Sequence, residues 1–216
     1  MIAVLDLGQG NLQSVVWAFA RLGAEAVRTR ARQDIALARA IVLPGVGNFG
    51  AAAQSLDALG LRGALRARAQ EVPLLGICLG MQLLFERSEE GGEGLGILPG
   101  HVQALAAPGL PLPHTGWNAV EPDPAQPFLL GAGAGDAYFV HGYVAAPADP
   151  GLVAAWTVYG SPFPAAVARG RIFGVQFHPE RSGAYGRRVL QSFLAEVVPC
   201  SKSSRPSTSR EGTSCA

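Results

Sequence analysis

The chain has 216 residues, of which 49% are hydrophobic and 15% charged, and its formal net charge is +1. That length allows one ordinary domain with a sizeable core, or two very small ones, and the near-neutral charge supplies no global field for nucleic acid or an anionic membrane. No apolar run reaches the roughly 18–20 residues of a membrane span, and the N-terminus lacks a charged region with a cleavage signal, so the sequence reads as cytoplasmic.

In chain order, Ile2 to Leu7 reads as an apolar strand and Gly8-Gln9-Gly10-Asn11 as a turn opening a helix. The apolar positions Val15, Val16, Phe19 and Leu22 recur at helical spacing until Gly23 ends the run. A short strand is expected over 24–28, a short helix over 34–38 and a third strand over 40–43, stopped by Pro44-Gly45-Val46-Gly47-Asn48-Phe49. Helices over 51–59 and 61–70 lead into an apolar strand after Pro73, with a further helix after Gly80. Strands alternating with helices imply parallel pairing and right-handed crossovers. Beyond the Gly/Glu-rich loop 89–96 the pieces shorten, with strands expected over 101–105, 117–120, 138–144, 152–158, 165–168 and 172–176. Several of these are expected as antiparallel additions to the main sheet. A helix over 182–198, with Val189, Leu190, Phe193 and Leu194 on its buried face, closes the domain. Residues 199–216 are Ser/Thr/Arg-rich without apolar periodicity and are expected to be a disordered tail.

Chemistry concentrates in two stretches. In Gly76-Ile77-Cys78-Leu79-Gly80 a cysteine ends an apolar strand with a glycine two residues to either side. This is the pattern of a nucleophile elbow, a sharp strand-to-helix turn with small neighbours that admit substrate. Unpaired N–H groups and the dipole of a following helix favour the reactive thiolate. In Phe173-Gly174-Val175-Gln176-Phe177-His178-Pro179-Glu180 a strand delivers His178, and Pro179 keeps it out of the helical region. Glu180 at i+2 falls on the same side and is placed to hold the imidazole. Nucleophile, base and orienting carboxylate make a triad. The other two cysteines, Cys200 and Cys215, lie in the polar tail, so no disulfide framework and no zinc spacing is present. Gly8-Gln9-Gly10 lacks both the third glycine of a dinucleotide loop and the Lys-Ser/Thr of a phosphate loop.

These two stretches resemble the signatures of class I, triad-type glutamine amidotransferases. Asp6-Leu7-Gly8-Gln9-Gly10-Asn11-Leu12, Pro44-Gly45-Val46-Gly47-Asn48-Phe49, Pro113-His114-Thr115-Gly116-Trp117-Asn118 and Tyr138-Phe139-Val140-His141-Gly142-Tyr143 narrow the resemblance. Within the class, they are similar to the glutaminase subunits of imidazole glycerol phosphate synthase, and the similarity spans residues 1–198. The resemblance implies a doubly wound, flavodoxin-like α/β fold with a mostly parallel sheet. It implies hydrolysis of L-glutamine through a Cys78 thioester, with His178 as base and Glu180 orienting it. It implies ammonia transfer to a (β/α)₈-barrel cyclase subunit in histidine biosynthesis, with no cofactor and no metal. The N–H of Leu79, directly after the nucleophile, suits one half of an oxyanion hole by geometry; by resemblance the other half is Val46 or Gly47. Gln82, one helical turn past Cys78, and the backbone of Gly142 and Tyr143 are expected to bind glutamine. The family usually has serine where Gly142 stands, tyrosine where Leu7 stands and lysine where Arg181 stands. Asn11 and Arg181 are expected on the partner face, Trp117 either there or in the core, and His101 and His114 as ordinary polar residues. A glutaminase serving another synthase, a catalytically silent binding subunit and a free-standing γ-glutamyl hydrolase are the competing readings.

Overall fold

A computed structural model of the chain describes residues 1–197, so the expected tail over 199–216 lies outside the described residues. In chain order the strands are β1 (Ile2–Leu5), β2 (Ala26–Thr29), β3 (Ala40–Gly45), β4 (Leu74–Cys78), β5 (Arg87–Ser88), β6 (Gly100–Ala104), β7 (His114–Pro122), β8 (Gly135–His141), β9 (Tyr143–Pro147), β10 (Val153–Tyr159), β11 (Ser161–Arg169) and β12 (Ile172–Val175). The helices are α1 (Leu12–Ala20), α2 (Arg32–Leu37), α3 (Phe49–Ala58), α4 (Arg62–Arg68), α5 (Leu79–Gln82) and α6 (Gly183–Val197). A nine-stranded sheet runs in the order β2-β1-β3-β4-β12-β11-β10-β7-β8. Its first five strands pair in parallel, and the remaining four extend it antiparallel as a wing. The parallel half has the strand order of a flavodoxin-like sheet, as expected.

Alternation along the parallel strands explains the layering. Val4, Val42, Leu75 and Ile77 point to one face and bury against Phe19 of α1 and Val189 and Phe193 of α6. Leu5, Ile41, Leu43 and Leu74 point to the other and bury against Ile35 of α2, Leu56 of α3 and Leu65 of α4. Strands covered on both faces need apolar residues at every position, and β1, β3 and β4 are buried throughout. Each such side chain contributes about 1.5–3 kcal/mol by leaving water.

Two expectations change. The single strand expected over 138–144 is two strands, broken at Gly142. β8 ends opposite His114 of β7, whereas β9 begins opposite Ala104 of β6 in a separate three-stranded sheet, β5-β6-β9. The Gly142 carbonyl at the corner accepts a hydrogen bond from Leu105 N (2.9 Å). The strand expected over 101–105 is β6, which pairs with β9 in the small sheet, while β7, β8, β10 and β11 are the antiparallel additions to the main one. The helix after Gly80 is a single turn, α5. Its continuation is prevented because the carbonyls of Leu83, Leu84 and Phe85 are taken by the N–H groups of Leu95, Gly96, Ile97 and Leu98, at 2.7–3.0 Å.

Candidate active site

The site is assembled at the carboxyl ends of β3, β4 and β12. Cys78 closes β4 with φ +53° and ψ −113°, the one non-glycine residue at positive φ among the described residues. Strain of this kind costs about 1–3 kcal/mol and is held by packing around it. Here the packing is glycine against backbone. A Cβ on Gly76 would lie 2.6 Å from the Gly80 carbonyl oxygen, and one on Gly80 would overlap the Leu43 carbonyl of β3. The glycine spacing thus lets the turn fold back on itself and against the neighbouring strand. Because α5 has one turn only, its dipole is much weaker than a full helix would supply. The backbone group beside the thiol is the Val140 carbonyl, 3.8 Å from Sγ.

His178 follows β12 in extended conformation, with φ −101° and ψ 93°. Its Nδ1 lies 2.8 Å from Oε1 of Glu180. His178 is buried, and its Nε2 has no well-aligned hydrogen-bond partner. The acid–base group beside that ring is Cys78. Burial opposes charge on the imidazole, but the nearby Cys78 and Glu180 groups outweigh it and push His178 up to about 10. Long or misaligned catalytic hydrogen bonds are common in unliganded sites and tighten with substrate. The loop serving the other side is pinned by Asp6, which accepts from Gly8 N (2.8 Å) and from Arg28 and Arg30. Burial raises the Asp6 carboxyl, but the two guanidiniums and Gly8 N–H together lower it to about 2.

These shifts set opposite limbs of stability against pH. A histidine raised from 6.5 stabilises fully below pH 6.5, and that contribution is lost as pH rises through about 10. His141, pushed down to about 3 chiefly by burial, stabilises fully above pH 6.5 and loses its contribution as pH falls toward 3. Chemical denaturation at a series of pH values is expected to show greatest stability near neutrality. The alkaline decline should be shallower in Cys78→Ala, which removes a group that holds the His178 proton.

Cys78 opens into a cavity of about 640 Å³ lined by Val46, Gly47, Leu79, Gln82, Glu90 and the segment Val140–Tyr143. The structure thus brings the expected oxyanion and glutamine-binding residues to one cavity with the thiol. Gly45 is in register with Cys78, which places Val46 and Gly47 directly beyond it. Gly47 has φ +93°, and a Cβ there would meet Gln9 Oε1 at 2.5 Å. A Cβ on Gly142 meets nothing within 4 Å, so serine fits that position. Gln82 is buried, not solvated: its Nε2 donates to Tyr143 O (2.9 Å) and to Gln176 Oε1 (3.1 Å). Both amide hydrogens being engaged, its carbonyl oxygen is the group left for a ligand.

Two residues of this site escaped the sequence. Gln176 places Nε2 3.7 Å from Cys78 Sγ and links it to Gln82. Its position within the His178 stretch was the available signal, but a residue just past the end of β12 carries no mark of its partner. Glu90 lines the cavity and accepts from Phe49 N (2.6 Å), tying the Gly/Glu-rich loop to the start of α3. That contact spans 41 positions in the chain. His114, expected as an ordinary polar residue, is buried against His141 (3.3 Å between ring nitrogens).

Of the expected partner-face residues, Trp117 is 57% exposed, which removes the core alternative. It meets Tyr138 edge-on at 6.0 Å, and the Arg181 guanidinium sits over the same ring at 4.9 Å. Asn11 is exposed and caps α1, accepting from Ser14 N (3.3 Å). Among the described residues no group of three or more His, Cys, Asp or Glu is placed to hold a metal ion, and no helix is long and apolar enough to cross a membrane.

The family model described as glutamine amidotransferase class-I matches residues 3–197. The chain is 47% identical over 196 residues to the imidazole glycerol phosphate synthase subunit HisH of Moorella thermoacetica, covering 89% of this chain and 93% of that one. It is 47% identical over 212 residues to the subunit of the same name from a Synechococcus species, covering 95% and 97%. A crystal structure of a glutamine amidotransferase superposes with a TM-score of 0.74 at 24% identity, over 91% of this chain and 98% of that one, a likeness of fold. With a cysteine elbow, a paired histidine and glutamate, and relatives this similar along nearly their whole length, the chain belongs to the class-I glutamine amidotransferases and, within them, to the imidazole glycerol phosphate synthase HisH subunits.

Proposed function

We propose that this chain hydrolyses L-glutamine to L-glutamate and ammonia and passes the ammonia to the cyclase subunit of imidazole glycerol phosphate synthase in the cytoplasm. The observation that carries the reading is a buried cysteine in a strained elbow at the wall of a large cavity, beside a histidine held at 2.8 Å by a glutamate whose side chain is 7% exposed.

His178 Nε2 takes the Cys78 thiol proton as Sγ attacks the side-chain amide carbon of glutamine, and the amide oxygen becomes an oxyanion. The N–H of Leu79, with that of Val46 or Gly47, receives this charge; removing one such donor typically costs about 3–4 kcal/mol in the barrier. The C–N bond breaks as His178 gives its Nε2 proton to the departing ammonia, leaving a glutamyl thioester. Water then attacks the thioester while His178 takes its proton, releasing glutamate and the thiol. Glu180 keeps the Nδ1 proton in place and stabilises the imidazolium. Among the described residues Glu90 is the one carboxylate lining the cavity, which suits it to receive the α-ammonium of glutamine, with Gln82 Oε1 as a second acceptor. Trp117, Tyr138, Arg181 and Asn11 lie on the face that meets the cyclase barrel.

Glutamine hydrolysis by the purified chain, alone and with a ligated cyclase, tests the whole reading. Low activity alone that rises with the ligated partner is expected. High activity indifferent to the cyclase would leave the chemistry and remove the assembly; no activity in either case, from folded protein, would remove both. Within the triad, Glu180→Gln is expected to lower kcat less than His178→Ala, because it leaves the base in place. Steady-state kinetics of the two variants check the order, and the reverse order would overturn the assigned roles.

A further inference from the structure

The buried pair His114 and His141 takes no part in the chemistry above. His114 lies on β7 and His141 ends β8, 1% and 6% exposed. Their protons can be placed from their partners. Asn118 Nδ2 donates to Val158 O (2.8 Å), which turns Asn118 Oδ1 toward His114 Nε2 at 2.7 Å. His114 therefore carries its proton on Nε2. At the other end His141 Nδ1 lies 3.0 Å from the Tyr143 carbonyl, an acceptor only, so His141 carries its proton on Nδ1. Two neutral rings have no third proton to share. Hence His114 Nδ1 and His141 Nε2 meet as bare lone pairs, and theirs is the longest of the three contacts at 3.3 Å.

Packing prevents the rings from turning away. His114 is stacked on Tyr159 at 4.0 Å and on Phe139 at 5.1 Å, and Phe163 closes the edge of both rings. The titratable groups facing the pair are Tyr159, whose hydroxyl donates to Pro111 O, Tyr143 beyond His141, and His178, whose charge opposes a proton on His141. Cys78 and Glu90 share the cavity that His141 lines. Burial lowers both histidines below the usual range, so the neutral pair is the form present at pH 7.

What the pair holds is the Tyr143 carbonyl. That oxygen accepts from His141 Nδ1 and from Gln82 Nε2, at 3.0 and 2.9 Å. Gln82 in turn meets Gln176, which approaches Cys78 Sγ. We propose that His114 and His141 are positioning residues for the glutamine cavity, held as opposite neutral tautomers that fix the Tyr143 carbonyl and through it Gln82. The inference deepens the glutaminase reading and rests on it for the identity of the ligand.

Two measurements on the full chain test it. Nitrogen-15 NMR of the imidazoles needs no substrate and is expected to show His141 protonated on Nδ1 and His114 on Nε2, both neutral from pH 6 to 8. His141 on Nε2, or a charged ring, would overturn the proposal. Kinetics with glutamine form the second arm. His141→Leu is expected to raise KM about tenfold, the scale of one lost hydrogen bond, with a smaller change in kcat. His141→Asn, whose Nδ2–H replaces Nδ1–H, should recover most of it. Equal losses in folded Leu and Asn variants, or a loss in kcat alone, would overturn it. If the unaltered chain neither binds nor hydrolyses glutamine, the glutaminase reading fails, while the tautomers still decide the proton placement.

Discussion

Cys78→Ala is expected to reduce glutamine hydrolysis at least about 10⁴-fold, the scale of removing a triad nucleophile, while leaving ammonia-dependent turnover by the assembled synthase intact. The reason is geometric. Cys78 is the thiol at the cavity wall, and water in its place would have to be held and activated by a base aligned for Sγ. The fold should survive, since the packing that forces the turn is the glycine contact, which alanine at 78 leaves unchanged. Measuring both the glutamine- and the ammonia-dependent reactions on one preparation separates lost chemistry from lost assembly. Glutamine-dependent turnover persisting in the variant would remove Cys78 as the nucleophile.

Gly80→Ala is expected to cost the fold itself. The added Cβ would overlap the Leu43 carbonyl, a backbone atom of the central strand β3 that has no rotamer through which to move away. Overpacking of a core typically costs about 1–3 kcal/mol when side chains can adjust, so a backbone obstruction is expected to reach about 3 kcal/mol or more. Urea denaturation and soluble yield give the readout. Gly63→Ala is the matched control: nothing lies within 4 Å of its Cβ, and it sits inside α4. That substitution should raise stability by up to about 1 kcal/mol, because alanine loses less entropy in a helix than glycine. If Gly80→Ala proved as benign as the control, the elbow would not be packed as described.

Much of this molecule was legible before any coordinates. The alternation in β1, β3 and β4, the glycine spacing around Cys78, and the i, i+2 pair His178 and Glu180 are local, and each encodes its own geometry through sterics or periodicity. Motif resemblance added the remote partners, since neither Val46 nor Gly47 carries any local sign of standing beside Cys78. Helical apolar spacing does not reveal how short α5 is, because it says nothing of competition for the carbonyls of Leu83 to Phe85, which comes from residues 95–98. The break at Gly142 was missed for a similar reason: an unbroken strand pattern does not reveal that its two halves pair with different sheets.

The sequence by itself therefore determined the fold class, the layered core, and the cysteine turn and the histidine–glutamate pair from which the catalytic roles are proposed, because each rests on interactions within a few residues of chain. Only the tertiary structure decided which polar groups meet across it. Gln176 joins Gln82 to Cys78, Glu90 reaches Phe49 N, and His114 faces His141. Those contacts depend on the relative placement of strands and loops far apart in the chain, and hydrogen-bonding side chains show no preference for their eventual partners until packing has removed water from around them.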